Sequence, residues 1–309
     1  MRIGVIGCGN VGFAFLEWLR NSGHEAIGYD LSLNVREKIV SQFGIDCAAN
    51  AIESLIDCES IFICVPTEPA QDGSADLSIF RTVIMQLSDL LKNRTDVSVI
   101  QRSTCPPGSA DIFSSYFAGN VSYGVNPSFL RKSSIKYDTE HPDRIAIGAR
   151  GLALKHLTVI YDGIEAPRYV SSDYKSVELL KYVENTIDGL LMSYWNEIIR
   201  YAKTIGIASD EIVHLIELIG DREKFRSVSR VPGKAFGLWC IPKDLDALMC
   251  EMKQNGINPY IMEGIKQENA MMEKLTGIGT SPAQSLWAVI DNHVQVLEDG
   301  KKQIEAFYE

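Results

Sequence analysis

Short apolar runs alternate with amphipathic stretches through the first 171 residues. Arg2 to Ile6, Ala26 to Asp30, Ser60 to Val65, Val97 to Gln101, Val121 to Val125 and Arg144 to Ile147 predict strands. Val11 to Ser22 carries Phe15, Leu16 and Leu19 on one stripe and predicts a helix, as does Leu77 to Leu91. Strand–helix alternation of this kind predicts a mostly parallel sheet with helices on both faces. Near Ser171 the rhythm changes. Asp173 to Gly206 has no proline and sets Val177, Leu180, Val183, Ile187 and Leu191 at helical spacing, which predicts one helix far above average length. More helices are predicted over Asp210 to Ile219, Lys243 to Asn255, Pro259 to Leu275 and Ser281 to Asp299, the last fraying at Phe307 to Glu309. The pattern places an α/β domain over 1–171 and an all-helical domain over 172–309.

Composition adds limits. The 309 residues are 46% hydrophobic and 23% charged, enough for two globular domains with sizeable cores. A net charge of −10 argues against nucleic acid or an anionic membrane as partner, since both need a basic face. It leaves room for a local basic pocket around a phosphorylated ligand. Met1 to Ile6 runs straight into a strand, no basic segment precedes a long apolar stretch, and no apolar run reaches membrane-spanning length. Seven scattered cysteines, Cys8, Cys47, Cys58, Cys64, Cys105, Cys240 and Cys250, contain no C-x-x-C. A reducing, cytoplasmic setting is expected, with neither disulfides nor a metal site.

The first strand leads into Gly7-Cys8-Gly9-Asn10-Val11-Gly12, which also opens the first helix. That context gives G-x-G-x-x-G its meaning as a Rossmann-type dinucleotide loop. Gly7 makes the tight turn, Gly9 lets backbone approach a pyrophosphate, and Gly12 lets helix and sheet pack closely. Asn10 and Val11 stand at the helix N-terminus, where unpaired N–H groups favour phosphate. Asp30 ends the second strand, where it accepts from ribose hydroxyls and repels a 2′-phosphate. NAD is therefore expected rather than NADP, with Arg36 the one nearby residue that could reverse the preference.

Two later segments carry candidate chemistry. Glu178 to Asn185 reads E-L-L-K-Y-V-E-N, and Ala235 to Asp244 reads A-F-G-L-W-C-I-P-K-D. Lys181 and Asn185, four apart on one helix, present a cation and an amide to one spot. A cysteine such as Cys240 is, taken alone, more often an inert core residue than a nucleophile. Order changes that weighting. I-F-I-C-V-P-T-E-P-A-Q-D-G-S-A-D-L-S from Ile61, V-I-Q-R-S-T-C-P-P-G from Val99, N-P-S-F-L-R-K-S-S-I from Asn126 and P-D-R-I-A-I-G from Pro142 precede these two segments. Six such segments in this order resemble the UDP-glucose/GDP-mannose dehydrogenase family from residue 1 to about residue 275.

The resemblance implies oxidation of a sugar primary alcohol in two NAD-linked steps through a cysteine thioester that water hydrolyses. It implies Cys240 as nucleophile, Lys181 and Asn185 as oxyanion stabilisers, and Asp244 as the group that orients water or assists proton transfer. Thr104 falls at the nicotinamide side, counted with the catalytic residues as well as the cofactor-binding ones, and Ser103, Val65, Pro66, Thr67 and Lys243 fall along the cofactor. It further implies a 6-phosphogluconate-dehydrogenase-like helical domain, a homodimer built on the long helix, and a small-molecule substrate, a sugar or nucleotide sugar.

Three departures stand out. The glutamate of the family's N-P-E-F-L is Ser128 here, and the next glutamate is Lys132. Leu238 and Trp239 bring bulk before Cys240 where the family has small residues. No counterpart of the family's further α/β domain is expected after Ser281. Arg131, Lys132, Arg226, Arg230 and Lys234 remain candidates for holding an anionic group. Two other readings stay open: a single-step alcohol or β-hydroxyacid dehydrogenase with Lys181 as base, and a degenerate NAD- and sugar-binding protein.

Overall fold

The structure, a computed structural model, describes residues 1–117, 119–208, 235–236, 240–256 and 258–276, with isolated positions between 211 and 218. The predicted helix over Ser281 to Asp299, half of that over Asp210 to Ile219, the Leu238-Trp239 pair and the basic set Arg226, Arg230 and Lys234 lie outside the described residues. Two compact units emerge, Met1–Thr186 with Lys243–Pro259, and Ile187–Pro242 with Tyr260–Glu309.

The first unit is built on a seven-stranded sheet. Its strands are β1 (Arg2–Ile6), β2 (Glu25–Tyr29), β3 (Ser60–Ile63), β4 (Ser98–Gln101), β5 (Ser122–Val125), β6 (Ile145–Ala149) and β7 (Arg168–Ser171), in the order β2-β1-β3-β4-β5-β6-β7. All neighbours run parallel except β5 and β6, which pair antiparallel through Gly124–Ala149 and Val125–Gly148. A single parallel bridge from Gly28 to Ala48 extends the sheet beyond β2. Chain order reverses between β1 and β3, and ligands of such sheets bind at the strand C-termini beside that switch.

Two core clusters cover the two faces. Ile3, Val5, Phe62, Ile100, Ile145 and Ile147 face α1 (Asn10–Asn21) and α6 (Gly151–Ile160). Their strand neighbours Ile6, Ile61, Ile63, Val99 and Ala146 face α3 (Ser78–Leu90) and α4 (Ser109–Ser114). Both sides of each strand are buried, so the strands read as continuous apolar runs while still alternating in space. On α1 the predicted stripe holds: Phe15, Leu16 and Leu19 are each at most 1% exposed. Each contributes about 1.5–3 kcal/mol by burial. Two further helices, α2 (Leu33–Phe43) and α5 (Ile135–Glu140), complete the unit's surface.

The long predicted helix is α7 (Tyr174–Thr204). Its first turns, which the sequence pattern assigned to the helical half, pack with the sheet unit as far as Thr186. Val177 is fully buried there and joins the α3 and α4 face. Leu179, Val183, Ile187, Leu190 and Tyr194 form an apolar stripe along α7, each between 39% and 51% exposed. Two more helices follow, α8 (Cys240–Gln254) and α9 (Tyr260–Thr276). Within the second unit Asn269 on α9 grips the backbone of Phe236. Its Oδ1 accepts from the Phe236 N–H at 2.7 Å, and its Nδ2 donates to the Phe236 carbonyl at 2.9 Å. Among the described residues no helix is long and apolar enough to cross a membrane.

Close packing at the start of α1 depends on missing side chains. A Cβ on Gly12 would lie 2.0 Å from the Gly7 carbonyl oxygen. Gly7 itself has φ +84°, in the left-handed region. Gly12→Ala is expected to push α1 off β1 and to cost on the order of 3 kcal/mol; a thermal melt of the variant beside the parent checks this.

Candidate functional site

The predicted site residues other than Cys240, which belongs to the second unit, fall into three groups in the first unit. The first surrounds the β1–α1 turn. Gly9 caps α1 with no side-chain bond, and no acidic residue stands in the first turn. The amides of Asn10, Val11 and Gly12 therefore have no helical partner, and there is room at Gly9, where a Cβ would meet nothing within 4 Å. Asp30 follows β2 and reaches back to this turn. Its Oδ2 accepts from the Cys8 N–H at 2.8 Å and its Oδ1 from the Ser32 N–H at 2.9 Å. One bond per oxygen leaves each with capacity for a ribose hydroxyl. Arg36 does not stand ready for a 2′-phosphate, because its guanidinium donates to the Asn50 carbonyl at 2.7 Å. A helix N-terminus without a cap, room at Gly9 and a carboxylate at the end of β2 fit the pyrophosphate and the adenosine ribose of the NAD that they would hold. Cys8 itself is a buried filler, its thiol pushed well above its ordinary pKa by burial.

The second group lies at the C-termini of β3 and β4, on the other side of the switch. The Ser103 hydroxyl donates to the Val65 carbonyl at 2.6 Å, and the Thr67 hydroxyl donates to the Thr104 carbonyl at 2.7 Å. Pro66 is exposed between them. These bonds tie the turn after β4 to the turn after β3, leaving the half-buried Thr104 side chain outside that backbone tie.

The third group joins α7 to α8. Lys181 Nζ donates to Asn185 Oδ1 at 3.1 Å, Asn185 Nδ2 donates to Asp244 Oδ2, and Lys243 Nζ pairs with Asp244 Oδ1. Lys181 and Asn185 are each 9% exposed and Asp244 1%. The lysine is thus no solvated surface residue. With a cation on one side and a carboxylate on the other, the Asn185 amide has only one sensible orientation. Lys243, expected beside the cofactor, is tied into this chain. Cys240 is the first residue of α8, one helical turn before Asp244.

Around Lys181 stand groups that the spacing alone did not single out. Its ammonium lies 5.2 Å from the Phe129 ring centre and 3.7 Å from Glu184 Oε2. Glu184 Oε1 pairs with Arg144 at 3.0 Å, while Oε2 is buried with no hydrogen-bond partner. Ser128, beside Phe129, lines a cleft with Arg102 and Arg144. Arg102 is 6% exposed; it donates to Asn126 Oδ1 at 2.7 Å and lies 4.0 Å from the Phe15 ring centre, which fixes the segment leading to Ser128. Arg131 is engaged with Asp138, its backbone N–H at 2.8 Å and its Nε at 3.0 Å from Oδ2, whereas Lys132 is exposed.

Glu178, one turn before Lys181, is the buried carboxyl group of this region least visible in the sequence. It is 2% exposed and accepts from Gly108 N–H at 2.7 Å, Ala110 N–H at 2.9 Å and Gln101 Nε2 at 2.8 Å. Burial pushes its pKa up to about 7 against the pull of those donors.

Residues 33–164 match the UDP-glucose/GDP-mannose dehydrogenase family, NAD binding domain, and residues 175–271 match the central domain of the same family. A GDP-mannose 6-dehydrogenase of Azotobacter vinelandii is 27% identical, the match covering 95% of this chain and 71% of the relative. A UDP-glucose 6-dehydrogenase of Rickettsia bellii is 31% identical over 70% of this chain and 50% of its own length. Among solved structures, a UDP-glucose dehydrogenase from Pyrobaculum islandicum superposes with a TM-score of 0.80 at 27% identity, covering 88% of this chain and 68% of that one.

The raised pKa of Glu178 has a definite sign. Between about pH 4.5 and about pH 7 the unfolded chain releases this proton while the folded chain keeps it. Its contribution is therefore whole below that window and falls by about 3 kcal/mol as pH rises through it. Melting temperatures of the parent and Glu178→Gln across pH 4.5 to 8 should show this decline in the parent and its absence in the variant.

Proposed function

Because the chain belongs to the UDP-glucose/GDP-mannose dehydrogenase family, we propose that it oxidises the primary alcohol of a nucleotide sugar with NAD, using Cys240 as a covalent nucleophile. The observation that carries this reading is the buried chain Lys181–Asn185–Asp244 at the end of the helix that Cys240 opens. When bound, NAD takes two electrons and a proton as hydride from the substrate carbon in each oxidation. The protein supplies the rest. The Cys240 thiolate adds to the aldehyde carbon, forming a C–S bond; a helix N-terminus favours the thiolate form of a cysteine placed there. The Lys181 ammonium and the Asn185 amide are the donors that would stabilise the oxyanion this addition creates. A second two-electron oxidation leaves a thioester. Water then adds to its carbonyl, the C–S bond breaks, and the thiolate and a carboxylic acid are released.

Removing the water's proton requires a base, and Ser128 cannot serve as one at neutral pH. Asp244 has both oxygens engaged, by Asn185 and Lys243. Glu184 keeps one oxygen without a hydrogen-bond partner, 3.7 Å from the Lys181 ammonium, while its other oxygen pairs with Arg144. It is the group in this neighbourhood best placed to replace the missing glutamate. The same Ser128 supports a second reading, in which oxidation stops at the carbonyl and Lys181 acts as base without the cysteine.

The subunits pair through α7. Its exposed stripe from Leu179 to Tyr194 is continued by Ile261 and Met271, which line a groove with Leu190 and Tyr194 in the second unit. Apolar area of this kind on a long helix calls for a partner surface.

NADH formed per substrate consumed separates the two chemical readings. With UDP-glucose, GDP-mannose and related nucleotide sugars, two NADH per substrate are expected from the parent, and Cys240→Ala should form no acid. Full activity in Cys240→Ala would sink the covalent mechanism. Light scattering coupled to gel filtration should give a dimer for the parent and a monomer for Ile187→Glu, and an unchanged mass in the variant would remove α7 from the interface.

A further inference from the structure

Glu178 is a carboxylate with a position more telling than its burial. On α7 it precedes Lys181 by three residues and Asn185 by seven, so all three occupy one face of the helix. Its three donors come from both ends of one turn: Gln101 closes β4, while Gly108 and Ala110 begin α4. Ser103 and Thr104 lie inside that turn. The opposite side of the turn is already fastened to Val65 and Thr67 after β3. The turn is thus held between two anchors, the segment after β3 on one side and Glu178 on the other.

A neutral side chain could not replace this anchor. Two backbone N–H groups and a side-chain amide point at the carboxylate, which offers about four lone-pair sites. A glutamine would present its own NH2 to at least one of those donors and leave it unpaired in a buried place. Gln101 is fixed in turn, since its Oε1 accepts from the Tyr123 hydroxyl at 3.0 Å.

The topology says what the anchor separates. Asp30 and the β1–α1 turn take the adenosine ribose and the pyrophosphate, on the β2 side of the switch. The remaining half of the cofactor must extend across β1 toward the ends of β3 and β4, where Thr104 stands. On these grounds, and resting on the cofactor reading above, we infer that Glu178 is a positioning residue that sets the spacing between the Ser103–Thr104 turn and the α7 face carrying Lys181. Hydride transfer depends on that spacing, because misplacement by about 1 Å costs on the order of a hundredfold in rate.

The test needs no knowledge of the sugar. The full chain, Glu178→Gln and Glu178→Asp are titrated with NADH at pH 8, where the carboxylate is charged, and the emission of the bound nicotinamide is followed. Immobilised nicotinamide emits more strongly than free NADH. In Glu178→Gln the dissociation constant should stay within about threefold of the parent, because the glycine turn and Asp30 are untouched. The emission gain on binding should fall by about half or more. Glu178→Asp keeps the charge on a shorter stem and should fall between the two. An unchanged emission gain in both variants overturns the positioning role. A loss of affinity of about tenfold or more that tracks the loss of emission overturns it also, because Glu178 would then be holding the domain together. No NADH binding by the parent would overturn the cofactor reading itself, a result that the variants cannot mimic.

Discussion

A carboxylate removed from water must be surrounded by donors, and the site is organised by Asp244 meeting that demand. Asp244 is 1% exposed, and Asn185 and Lys243 between them engage both of its oxygens. Taking away one partner of such a buried group typically costs about 3–5 kcal/mol, so the arrangement is all or nothing. It fixes the amide of Asn185, which in turn fixes the ammonium of Lys181. It also sets the rotation of α8 against α7 within the sheet unit. Glu178 repeats the demand one turn earlier and meets it with backbone N–H groups. Two buried anions thus specify where one helix face stands relative to the sheet.

This arrangement accounts for why the sheet unit claims pieces of distant sequence. Residues 243–259 return to it after an excursion, and the return begins at the Lys243–Asp244 pair. Electrostatics around Lys181 is then balanced by Glu184, which also neutralises Arg144. Ser128 brings no carboxylate to this neighbourhood, Glu184 supplies one there, and the chemistry proposed for hydrolysis draws on that difference.

Much of the sheet was legible because buried strands are short, apolar and bounded. Arg2–Ile6 and Ser122–Val125 fall within their predicted runs, and α7 differs from its predicted span by only a residue or two at either end. Elements without an apolar signature were missed. Only Ile39 is buried on α2, and β7 is an exposed edge strand, so neither pattern rises above that of a loop. At the site, Lys181 and Asn185 could be paired from helical spacing. Their bond to Asp244 crosses 59 residues and appears only in three dimensions. Glu178 was harder still. Two of its three partners are main-chain groups about 70 residues upstream, and an N–H group leaves no trace in the identity of a residue.

The Asp30 carboxylate holds the glycine turn through Cys8 by a bond made wholly within the protein. A loop that is already ordered does not have to surrender conformational freedom when it is occupied. The entropy of arranging it was spent during folding, and cofactor association can proceed as a docking step onto a finished surface.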